Sequence, residues 1–151
     1  MQLEELIRMA GIGQLLLAAA SLAIPRVLGW KEELARLRPL TRQVFLIYAS
    51  YILGTNVAFG LLSAFAPRSL LEGTVLARSV AGFIALYWGT RLALQLFVID
   101  RRDVPRRAIY RAADLALTLL FAFLAAVYGL ATVGPGVHTA RLMNTLFGSS
   151  A

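Results

Sequence analysis

Five residues in this 151-residue chain combine polar chemistry with helical spacing inside otherwise apolar sequence. Tyr87, Arg91 and Gln95 recur at intervals of four, and so do Asp114 and Thr118. At 100° per residue, Tyr87 and Gln95 lie about 80° apart around a helix, with Arg91 between them. Arg91 stands nine residues before Asp100, which is roughly 13 Å of helix rise. Asp114 stands seven residues after Arg107, or about 10 Å of rise. Charges at such depth in lipid are costly and seek partners. Arg91 and Asp114 are therefore expected to pair across two consecutive antiparallel helices, with Tyr87, Gln95 and Thr118 around them. Two roles are open to this cluster. It can fix helix register as a buried ion pair. Alternatively, the planar fork of Arg91 can take a carboxylate or an anionic headgroup.

Other polar residues give weaker signals. Asn56, Gly60 and Ser63 share one side of a helix, Tyr48, Tyr51 and Thr55 another, and Gln14 and Ser21 lie two turns apart. Asn56 and Gln14 either bond between helices or line a cavity for a polar group of a lipid, quinone or ion. Ala77, Ala81, Ala85, Gly89 and Ala93 form a ladder of small residues spaced by four. Such a ladder lets another backbone approach closely, from the same chain or from another subunit.

Several chemistries are excluded. With no cysteine there is no disulfide, iron–sulfur cluster or thiol catalysis. The single histidine, His138, rules out a histidine-cluster metal site within one subunit. Gly11-Ile12-Gly13 lacks the third glycine and the preceding strand of a dinucleotide fingerprint. Glu4-Glu5 and Glu32-Glu33 lie outside the apolar stretches, so no paired-carboxylate site is formed. Asp100, Arg101, Arg102 and Asp103 read as a solvated loop rather than a phosphate-binding corner. No metal and no cofactor is expected.

The elements that must position these residues are four apolar stretches without internal proline. They run from about Leu6 to Ile24, Val44 to Phe65, Val75 to Ile99 and Ala108 to Thr132. Each can cross the hydrocarbon layer as a helix. Their continuous, non-alternating character favours helices over barrel strands. Pro25, Pro67, Pro105 and Gly134-Pro135-Gly136 mark the ends. Leu15 to Ala23 is similar to a signal-peptide core, but two acids precede the first arginine, so the stretch is expected to remain as a helix. Between the first two stretches, Val27, Trp30, Leu34 and Leu37 predict one interfacial helix. After residue 137, Leu142, Met143, Leu146 and Phe147 suggest a short peripheral helix. The expected fold is all-α: a single domain forming a four-helix transmembrane bundle.

Composition supports this frame. Hydrophobic residues make up 59% of the chain and charged residues 15%, against about 45–50% and 25% in soluble domains. Mean hydropathy is +0.72. The net charge of +7 sits mainly in two loops, so anionic lipid rather than nucleic acid is the expected partner. Arg26, Lys31, Arg36, Arg38 and Arg42 lie in one loop, and Arg101, Arg102, Arg106, Arg107 and Arg111 flank the other. Basic loops stay cytoplasmic. Both termini are then expected outside, in a bacterial inner membrane.

In length the chain resembles the membrane-associated eicosanoid and glutathione enzymes, but their glutamate- and arginine-rich signature has no counterpart in the second stretch. The DoxX-like and small multidrug-resistance families are of similar length, and the membrane glutamate of the latter is absent. No family is assigned. The leading functional expectation is a small integral membrane protein acting through helix packing, as a homo-oligomer or a subunit of a larger membrane complex. The alternatives are a transporter or binder of a small amphipathic or anionic ligand at the Arg91 cluster, and a membrane enzyme acting on lipid or quinone. The last is weakest, because acid–base chemistry would rest on Asp114 or tyrosines alone.

Overall fold

A computed structural model describes residues 2–27, 29–98 and 108–133. These residues form six α-helices and a short 3-10 turn, with no strand among them. The helices are α1 (Leu3–Ser21), α2 (Ile24–Val27), α3 (Trp30–Ala35), α4 (Pro39–Phe65), α5 (Val75–Phe97) and α6 (Ala108–Val133). Four segments, Leu3–Val27, Pro39–Phe65, Val75–Phe97 and Ala108–Val133, are long and apolar enough to cross a membrane. This is the make-up of a multi-pass membrane protein. The expected charged loop at 100–103, Pro105, Gly134-Pro135-Gly136 and the helix near Leu142 fall outside the described residues.

Local chemistry explains where the helices start. Glu4 and Glu5 lie in the first turn of α1, where they complement the positive end of the helix dipole. The Glu5 carboxylate also accepts from the Gln2 amide at 3.3 Å. Helix α4 begins five residues before the expected Val44. Pro39 opens it, at a position where a helix leaves its N–H unbonded and proline loses nothing. Thr74 caps α5, its hydroxyl accepting from the Ala77 amide at 3.1 Å.

The single interfacial helix expected around Trp30 is instead two short pieces, α2 and α3. Gly29, with φ of +62°, breaks them apart and accepts the first bond of α3 from Glu32. A left-handed residue ends helical continuity. Val27 and Leu37 are consequently exposed, and of the four apolar residues only Leu34 is buried. Trp30 meets Phe45 edge-on, with centroids 4.9 Å apart.

The chain divides into two compact units, one comprising Arg8–Phe65 and the other Met1–Ile7 with Ala66–Ala151. In the first, α1 and α4 touch at glycines. A Cβ on Gly11 would lie 2.5 Å from the Ala64 nitrogen and 2.9 Å from the Gly60 oxygen. Backbones can approach this closely only because both positions lack a side chain. Gln14 and Ser63, buried near this contact, are fully enclosed.

In the second unit, α5 and α6 form an antiparallel hairpin. Its core takes Ala77, Ala81, Ile84, Trp88 and Gln95 from α5. Phe121, Leu124, Val127, Tyr128 and Ala131 come from α6. The steps along α5 are four, three, four and seven, as in a coiled-coil-like seam. Near residue 4, the Arg68 Nε bonds the Glu4 carboxylate at 3.1 and 3.2 Å, tying the start of α1 to the 3-10 turn Arg68–Leu70.

Candidate functional site

The polar cluster lies within the hairpin of α5 and α6. Arg91 is six residues from the end of α5 and Asp114 six residues from the start of α6. Each is thus about 9 Å along its helix from the same end, and antiparallel packing brings them to one level. Their link runs through Gln95, which is only 4% exposed. Its Nε2 donates to Asp114 Oδ1 at 2.7 Å, and its Oε1 accepts from an Arg91 N–H at 3.4 Å. The amide turns its donor to the anion and its acceptor to the cation. A residue expected at the margin is therefore the bridge.

The other cluster members take different roles. Thr118 donates to the Asp114 backbone carbonyl at 2.8 Å, a bond along its own helix. Tyr87 stands half-buried, with its ring edge-on to Trp88 at 5.3 Å. Steps of four advance about 40° around a helix each time. Tyr87, Arg91 and Gln95 therefore turn progressively into the seam, and only Gln95 is buried. Asn56 belongs to the unit of α1 and α4, where its Oδ1 is buried without a hydrogen-bond partner among the described residues.

The ladder of small residues drifts in the same way. Ala77 and Ala81 are in the core, Ala85 and Gly89 are partly covered, and Ala93 is exposed. A Cβ on Gly89 would meet nothing within 4 Å. Within the hairpin, only the first half of the ladder packs.

Two residues not expected from sequence complete the site. Phe121 lies 4.9 Å from the Arg91 Cζ, measured to its ring centroid. Trp88 stacks on Phe121: the ring centroids are 5.4 Å apart at an interplanar angle of 26°. Both are almost fully buried, so the guanidinium sits against a fixed aromatic face, a favourable cation–π arrangement. The sequence signal was present, since Asp114, Phe121 and Tyr128 recur every seven residues. Among the described residues, no three of His, Asp and Glu gather as metal ligands would. What the arrangement can do chemically is hold a positive charge at a fixed place with N–H groups to spare. No protein-family model, curated protein or solved structure matches this chain.

Proposed function

We propose that this is a small multi-pass membrane protein that works by packing its helices against other membrane helices, as one subunit of an assembly. The assembly is either several copies of this chain or a complex with a different membrane protein. In this reading the basic connections lie on the cytoplasmic side, both termini lie outside, and α2 and α3 rest at the membrane interface.

The observation that carries the reading is helix α4. Of its 27 residues only Gly60 and Ser63 are buried. Its open side bears a shallow groove lined by Ile47, Ser50, Tyr51, Gly54, Thr55 and Ala58. Gly54 leaves the groove floor clear, since a Cβ there would touch nothing within 4 Å. Lipid tails cannot hydrogen-bond the Tyr51 and Thr55 hydroxyls, whereas a neighbouring helix can. A small residue flanked by hydroxyls is the surface that helix association in membranes uses.

The test is photo-crosslinking in native membranes from a probe replacing Tyr51. The expected product is an adduct heavier by the mass of a second polypeptide. Adducts confined to lipid or to the chain itself would remove the assembly role.

A further inference from the structure

Arg91 has more binding capacity than its surroundings use. A guanidinium carries five N–H donors. Among the described residues its contacts are one N–H···O bond to Gln95 at 3.4 Å and the face of Phe121. That bond is long for an N–H donor. Both partners are neutral, so they orient the charge without cancelling it. Gln95 directs its own N–H to Asp114 at 2.7 Å, which holds the amide carbonyl towards the arginine. The Phe121–Trp88 stack fixes the other side. Arg91 is itself partly exposed, so its side chain is not sealed within the hairpin.

The surface of the hairpin has a mixed character. Arg111, one turn before Asp114, is exposed at the same end of the hairpin. On α5 itself Leu94, three residues after Arg91 and thus about 60° from it around the helix, is exposed. A free anion finds no complement in that apolar side chain. A molecule with a negative group and long acyl chains matches both parts. An arginine about 9 Å from a helix end can also extend towards the headgroup layer.

We propose that Arg91 is a binding site for the phosphate of an acidic glycerophospholipid, entered sideways from the bilayer. The phosphate takes the N–H groups of Arg91 left over from Gln95, and the acyl chains lie along Leu94 beside it. Gln95 and Phe121 are positioning residues that preset the guanidinium. The site stands on the hairpin of α5 and α6 alone and is independent of the assembly role proposed above.

The experiment uses the full chain in detergent, with bound lipid read by native mass spectrometry. Phosphatidylglycerol, phosphatidylcholine and inorganic phosphate are the three probes. The expected result is retention of phosphatidylglycerol over phosphatidylcholine by about fivefold, the equivalent of ~1 kcal/mol for a basic residue at an acidic membrane surface. Arg91→Gln should abolish that preference, and Arg68→Gln, at an exposed ion pair elsewhere, should keep it. A preference unchanged in Arg91→Gln would overturn the proposal. So would competition by inorganic phosphate at concentrations similar to the lipid, which would mark a free-anion site. Should Arg91→Gln fail to fold, Trp30→Phe protein decides, because Trp88 is then its only tryptophan. Acyl-brominated phosphatidylglycerol should quench Trp88 at about fivefold lower mole fraction than the brominated phosphatidylcholine. Equal quenching by the two lipids would overturn the proposal.

Discussion

Replacing Gly11 by alanine tests whether the contact of α1 with α4 depends on bare backbone. The added Cβ would lie 2.5 Å from the Ala64 nitrogen, 2.8 Å from the Ser63 carbonyl carbon and 2.9 Å from the Gly60 oxygen. Ordinary contact needs about 3.5 Å, so the helices must separate by about 1 Å. All three atoms are backbone, and none can rotate aside. A gap of that size forfeits about a quarter to a half of each contact along the crossing. Overpacking of this kind costs about 1–3 kcal/mol, and rigid neighbours place Gly11 at the upper end. Alanine returns about 1 kcal/mol of helix propensity. The net expected loss is therefore about 2 kcal/mol.

Gly54→Ala is the matched control, because nothing lies within 4 Å of its Cβ. It keeps the propensity gain without the clash, so the two variants should differ by about 3 kcal/mol, roughly a hundredfold in the folding equilibrium. Gly60→Ala should fall between them. Its closest neighbours are the Cγ and Cδ2 of Leu15, at 2.8 and 2.9 Å, and that side chain can move. The assay is SDS titration in mixed micelles followed by far-UV circular dichroism. Equal midpoints for Gly11→Ala and Gly54→Ala would refute close backbone contact as the basis of this crossing.

Three further outcomes follow from named contacts. Gln95→Leu removes the amide between Arg91 and Asp114 and should destabilise the protein by about 1.5–3 kcal/mol, the range for hydrogen bonds to charged groups; an unchanged SDS midpoint would show that the bridge contributes nothing. Thr74→Ala removes the acceptor for the Ala77 amide and should cost about 1 kcal/mol; the same titration would detect it, with Ser at this position restoring most of the loss. A reporter fused after Ala151 should behave as periplasmic, since the loops with most arginine stay cytoplasmic; cytoplasmic activity would reverse the proposed orientation.

How much of this was legible in the sequence depended on the range of the interaction. Helix positions were readable because a span in lipid must be long and apolar, which requires only local composition. The described ends of α5 and α6 fall within two residues of expectation for that reason. The level of Arg91 with Asp114 was readable too, because helix rise is constant and the connection is short. Rotation about the helix axis was less legible. Spacing by four looks like one face over two turns, yet it drifts about 160° from Ala77 to Ala93. The seam itself follows steps of three and four, so it keeps Trp88 and Gln95 and leaves Ala93 outside.

That same drift decides what becomes of the charged pair. Arg91 lies one turn short of the fully buried position that Gln95 occupies, so its charge stays near the surface while the neutral amide goes inside. Burying the amide in place of the guanidinium avoids the larger desolvation penalty. Asp114 is met by the amide donor, and the arginine keeps part of its donor set unused by Gln95. An ion pair buried directly in the seam would have used both charges up between themselves. Placing glutamine between them leaves a positive group, held by an aromatic stack, at the wall of a membrane helix hairpin. On the lipid-site reading proposed above, the physical difference between a register lock and a binding site lies in the residue at position 95.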